Sequence, residues 1–87
     1  MELDPNEMTP ILNRIKRAQG QLAGVLRLIE EGRDCEQVVT QLAAVSKALD
    51  RAGFAIVATG LQQCFVAGEG TDSVDVRKME KLFLSLA

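Results

Sequence analysis

Two apolar stripes with the same stepping dominate this chain. The first runs Ile11, Ile15, Ala18, Leu22, Val25, Ile29; the second runs Val38, Leu42, Val45, Leu49, Ala52, Ile56. Alternating steps of four and three mark one face of a helix that packs along another helix. No proline follows Pro10, so nothing interrupts either stripe. Between them stands Gly32, suited to the left-handed residue that ends a helix. The pattern predicts helix one over about 10–31 and helix two over about 35–67. The short connection allows only an antiparallel hairpin.

Local signals place the helix ends. Thr9 is expected to cap helix one, with Pro10 at its first position. Asp4-Pro5-Asn6-Glu7 is a weaker start signal, read as a separate turn. Asp34 is expected to cap helix two, with Gln37 completing a capping box. After a break at 68–73, a third helix is expected over about 73–86, with Val76, Met79, Phe83 and Leu86 on one face. Gly20 and Gly24, one turn apart, each cost about 1 kcal/mol of helix propensity relative to Ala. Close approach of a neighbouring helix is the expected reason.

The chain reads as one all-α domain over residues 1–87. It is 47% hydrophobic with only three aromatic residues, all Phe, so its core is aliphatic. A lone hairpin cannot cover both stripes. Two hairpins make an antiparallel four-helix-bundle dimer, which can. The third helix then caps the bundle or joins dimers into a dimer-of-dimers tetramer. No apolar run reaches membrane-spanning length. The acidic N-terminus MELDPNEMTP lacks the apolar segment of a signal peptide. A cytoplasmic protein with reduced thiols is expected.

There are two cysteines and no histidine. Cys35 and Cys64 lie near opposite ends of helix two, roughly 43 Å apart at about 1.5 Å of rise per residue. They cannot meet within one helix. If they act together, Cys35 of one chain meets Cys64 of another. Cys35 sits in a first helical turn, where unpaired N–H groups favour a thiolate. Arg33 adds to that effect, and Asp34 and Glu36 oppose it. Cys64, on an apolar face, also fits a plain core cysteine. Without imidazole, nitrogen-rich zinc or nickel sites are not expected. Two thiolates suit Cu(I), and two thiols can form a disulfide or polysulfide bridge. Gly60, one turn before Cys64, offers no side chain to such a site. No catalytic constellation is present, so an enzyme is not expected.

Net charge is −2, which alone argues against nucleic acid, but the charge is unevenly placed. From Ile11 to Ile29 there is no acidic residue, while Arg14, Lys16, Arg17 and Arg27 are basic. Arg14, Arg17 and Gln21 share a helix-one face, with Lys16 read beside them; Lys47 and Arg51 share a helix-two face. A bundle that joins these faces has a basic stripe for phosphates and groove edges. It is not a helix-turn-helix, since no short recognition helix follows a tight turn.

Five segments carry a family resemblance. They are Asn13-Arg14-Ile15-Lys16-Arg17-Ala18-Gln19-Gly20-Gln21-Leu22-Ala23-Gly24-Val25, then Asp34-Cys35 with Gln41-Leu42-Ala43-Ala44-Val45 and Ala48-Leu49-Asp50-Arg51-Ala52, and finally Leu61-Gln62-Gln63-Cys64. Together they resemble the copper-sensitive operon repressors, all-helical bacterial transcriptional repressors, over about residues 8–86. The resemblance implies a disc-like tetramer that binds operator DNA through helices one and two. It also implies an inducer that releases the DNA from a site shared between protomers. The implied DNA contacts are Arg14, Lys16 and Arg51, with Arg17 and Gln21 as additions. The implied inducer thiols are Cys35 and Cys64, which are also the metal ligands if Cu(I) is the inducer.

The sequence departs from the copper-sensing pattern. The family's His ligand falls on Gly60 and its tyrosine before the first Cys falls on Asp34. Its helix-three carboxylate falls on Lys81, one residue after Glu80. A branch that keeps both cysteines and lacks the His senses reactive sulfur, and this chain resembles that branch. The expected function is a repressor whose inter-protomer cysteine pair senses reactive sulfur or oxidant, with no cofactor required. The alternatives are a Cu(I)-responsive repressor using two thiolates, and a helical interaction module with structural cysteines.

Overall fold

A computed structural model describes residues 2–66, 68, 70 and 73–87, with the backbone alone for 64–66. Among the described residues all regular structure is helical. A 3₁₀ turn, η1 (Pro5–Glu7), leads into α1 (Thr9–Glu30), α2 (Cys35–Val66) and α3 (Val74–Leu86). The Ala67 end expected for helix two lies outside the described residues.

The entry to α1 differs from the sequence expectation. Thr9 is already helical, and Met8 holds the cap position with no side-chain hydrogen bond. The cap acts one element earlier, where the Asp4 side chain accepts from the Asn6 N–H at 3.0 Å. The Met8 N–H then donates to the Pro5 carbonyl at 3.1 Å, and the Leu12 N–H donates to the Met8 carbonyl at 2.8 Å. Because η1 delivers the chain already turned, α1 needs no hydroxyl cap.

The exit from α1 follows the glycine. Gly32 adopts φ +68°. The Arg33 N–H donates to the Leu28 carbonyl at 2.9 Å and the Gly32 N–H to the Ile29 carbonyl at 3.1 Å. That is the paired closure of a Schellman motif, which satisfies carbonyls the helix end leaves open. α2 begins with the Val38 N–H donating to the Asp34 carbonyl at 3.1 Å. No described hydrogen bond joins Asp34 to Gln37 as a capping box. At α3, Ser73 is the cap, its Oγ accepting from the Val76 N–H at 3.1 Å.

Each stripe divides in two. Ile11, Ala18 and Val25, seven residues apart, are buried between α1 and α2, and so are Val45 and Ala52. The other half stays open: Leu22 is 41% exposed, Ile29 58%, Leu42 47% and Leu49 45%. The molecule measures 53 × 25 × 12 Å, with a radius of gyration of 16.7 Å. A globule of this length would have a radius of about 12 Å. The protomer is therefore a slab one helix thick, with an apolar face that it does not cover itself.

α3 folds back along the second half of α2. Two glycines on one face of α2, Gly53 and Gly60, admit it closely. A Cβ at Gly53 would stand 3.0 Å from Leu86 Cδ1, and one at Gly60 2.7 Å from Met79 Sδ. Between them Phe54 and Phe83 meet edge to face, with ring centroids 5.2 Å apart. Val76 and Met79 are buried in this contact, as expected, whereas Phe83 remains 47% exposed. The close approach expected at Gly20 and Gly24 does not occur within the chain: nothing lies within 4 Å of a Cβ built at either.

Candidate nucleic-acid interface and thiol positions

The hairpin brings two separate basic faces to one groove. Arg14, Arg17, Ala18 and Gln21 line it from α1; Ala44, Lys47, Ala48 and Arg51 line it from α2. The space is about 550 Å³. Small residues make the floor. Ala18 is fully buried and Ala48 half-buried, so the helices approach without filling the trough. The long cationic side chains form its walls. Arg14, Arg17, Gln21, Lys47 and Arg51 are all exposed.

Among the described residues no carboxylate pairs with the charge in this groove. Among the described residues the ion pair is Arg33 with Glu31, at 3.6 Å, within the α1–α2 turn. Arg14, Arg17, Lys47 and Arg51 thus present four cations with no carboxylate partner among the described residues. In a chain of net charge −2, this is a local inversion of sign. Such a trough attracts a polyanion and holds phosphate oxygens by charge-assisted hydrogen bonds.

Lys16 is not part of it. Two residues after Arg14, it is carried about 200° round the helix. It is exposed but does not line the groove. Lys16 and Arg14 are near in the chain, but the helical period puts them on different faces of α1.

The cysteines sit at the two ends of α2. Cys35 is its first residue and is a free, exposed thiol. Cys64 lies on the last turn of α2, where the described structure is the backbone. The intervening helix keeps the pair roughly 43 Å apart within a protomer at about 1.5 Å of rise per residue. Among the described residues no group of three or more His, Cys, Asp or Glu side chains could hold a metal ion. Gly60, one turn before Cys64, is buried, and the Met79 thioether occupies the space its side chain would take. The spacing puts Met79 on one face of helix three with Val76, Phe83 and Leu86 but carries no sign that it meets Gly60.

The N-terminal segment reaches the same end of α2. Leu3 Cδ2 lies 4.0 Å from a Cβ built at Gly60. The Gln63 amide Nε2 donates to Glu7 Oε2 at 2.9 Å. Glu7 belongs to η1, directly ahead of α1.

Fold and site together define an all-helical protein with a cationic trough between two antiparallel helices and a thiol at each end of the second. The chain belongs to the metal-sensitive transcriptional repressor family, which matches it over residues 7–85. It is 38% identical over 68 residues to the copper-sensing transcriptional repressor CsoR of Mycobacterium ulcerans, covering 74% of this chain and 58% of that protein. It is 33% identical over 69 residues to the copper-sensing transcriptional repressor RicR of Mycobacterium tuberculosis, covering 77% of this chain and 72% of that one. It is also 54% identical over 37 residues to the uncharacterized protein YrkD of Bacillus subtilis, covering 42% and 59% of the two chains. The chain spans less than two-thirds of the length of the CsoR relatives, 58% for the Mycobacterium ulcerans protein and 45% for those of Mycobacterium bovis. No solved structure matches the chain at a significant level. No described helix is long and apolar enough to cross a membrane.

Proposed function

We propose that this protein is a non-enzymatic transcriptional repressor that binds operator DNA through the α1–α2 groove and releases it when an inducer reacts at paired thiols. The observation that carries the DNA reading is the groove itself. Four cations with no carboxylate partner among the described residues, and the amide of Gln21, gather over a floor of alanines. Phosphate contacts position such a protein, and an amide can reach a base edge. Family membership and the repressor relatives support the same reading.

The working unit is an oligomer. The open stripe of Leu22, Ile29, Leu42 and Leu49 matches the same stripe of a second copy, and two hairpins close into a four-helix bundle. In that unit the Cys35 end of one α2 meets the end of α2 that carries Cys64 of the partner subunit. Reactive sulfur is an inducer that needs two thiols and no other donor. The Cys35 thiolate attacks the terminal sulfur of an inorganic polysulfide; that S–S bond breaks, and the shortened polysulfide leaves with the electron pair. The Cys64 thiolate of the partner subunit then attacks the Cys35 sulfur. A disulfide forms and hydrosulfide leaves. The absence of histidine and the blocked space at Gly60 support a site built from sulfur.

Cu(I) is the second reading, favoured by the copper-sensing relatives. The donor set fits it: Cys35 and Cys64 are soft thiolates, and Cu(I) accepts such ligands at low coordination number. Cu(I) would supply a link between protomers without electron transfer.

Non-reducing intact mass spectrometry of the reduced protein separates the readings. After polysulfide treatment, a covalent dimer absent in Cys35→Ala and Cys64→Ala supports sulfur sensing. An unchanged monomer mass, together with stoichiometric Cu(I) binding that lowers DNA affinity, supports the copper reading. The DNA reading falls if duplexes selected from a random pool bind Arg14→Ala and Arg51→Ala as tightly as the parent protein.

A further inference from the structure

α2 carries a glycine, Gly60, fully buried in its interior. Glycine inside a helix costs about 1 kcal/mol relative to alanine. The structure shows what that position admits. A Cβ there would fall 2.7 Å from the sulfur of Met79 and 3.7 Å from its terminal methyl. The thioether therefore rests directly on the α2 backbone, one turn before Cys64. Met79 is 7% exposed, so its sulfur is held rather than sampling solvent. A methionine filling a gap is common. A methionine that lies on bare helix backbone one turn from a thiol-bearing position also places a second sulfur donor at that end of α2.

We propose that Met79 is a thioether donor to a soft monovalent cation of the Cu(I) class, bound at the Cys64 end of α2 and completed by Cys35 of the partner subunit. The proposal rests on the Cu(I) reading of the thiol pair and adds a third sulfur to it. Thiolate and thioether are the ligands that select Cu(I) over harder divalent ions. Binding changes no oxidation state. The two cysteine protons go to solvent as the thiolates coordinate, and the thioether, having no proton, gives up none. Gly60 then has a positive role: any larger residue would push the Met79 sulfur off the helix.

The test uses the full reduced chain and Cu(I) buffered by a chromogenic chelator. Met79→Leu keeps the apolar volume and removes the donor. It is expected to weaken Cu(I) binding by at least about tenfold, some 1.4 kcal/mol. X-ray absorption is expected to show one fewer sulfur around copper, while polysulfide cross-linking of the same variant is unchanged. Selenomethionine-labelled protein carries the test without altering the fold. A selenium–copper scattering path is expected at the selenium edge, lost in labelled Met79→Leu. Equal affinity in Met79→Leu with no selenium–copper path overturns the thioether role and leaves the two-thiolate reading standing. If the parent protein binds no Cu(I), the copper reading and this proposal both fail.

Discussion

Gln63 donates a hydrogen bond to Glu7 at 2.9 Å, across 56 positions of the chain. It ties the residue before Cys64 to the turn that leads into α1. Six residues, Met8 and the first five of α1, then connect Glu7 to Arg14. A shift of the Cys64 end on inducer binding has a direct physical route to the groove. Glu7→Ala is expected to leave the DNA affinity of reduced protein within about twofold, the scale of an exposed hydrogen bond. The ratio of DNA affinities before and after inducer treatment should shrink. Titrating both states of both proteins measures it, and an unchanged ratio removes this route.

The groove cations should act through phosphate charge. Arg14→Ala and Arg51→Ala are each expected to weaken DNA binding by roughly tenfold near physiological salt. Each should lower the slope of log affinity against log salt by about one. Lys16→Ala, off the groove, should change both less. Fluorescence anisotropy over a salt series checks this, and a larger effect at Lys16 than at Arg14 would refute the assignment.

The open half-stripe should govern assembly. Leu42→Asp and Leu49→Asp place a charge where a second copy is expected to dock. Both should convert an oligomer into a poorly helical monomer, read by sedimentation and circular dichroism. Leu84→Asp is a control: Leu84 is 64% exposed on α3, outside the α1–α2 stripe, and its variant should still form at least a dimer.

Two glycines should respond with opposite sign. Gly60→Ala forces a Cβ against Met79 at 2.7 Å. Overpacking costs about 1–3 kcal/mol and helix propensity returns about 1, so a net loss of about 1 kcal/mol is expected. Gly20→Ala meets open space. It should gain up to about 1 kcal/mol of helix propensity. Thermal melts of both variants decide it. A loss at Gly20 would reveal a neighbouring copy close to α1.

What the sequence alone determined was local. Periods of three and four marked both long helices because apolar spacing records which face leaves water. Gly32 marked the end of α1 because only an unbranched backbone takes φ +68° without strain. Those signals need only neighbours within a turn or two. Thr9 is not the cap of α1, because η1, a weaker local signal, turns the chain before it.

Tertiary structure decided the rest, because rotation and long-range approach leave no periodic trace. The rotation of α1 about its own axis chose Ala18 and Val25 for the interior and left Leu22 and Ile29 open. That same rotation set Arg14 and Arg17 opposite Lys47 and Arg51, joining two faces that the sequence could only describe separately. The seat of Met79 on Gly60 depends on α3 folding back across a break. No residue near either position encodes that contact, and only the packing of α3 on the bare backbone of α2 brings the two together.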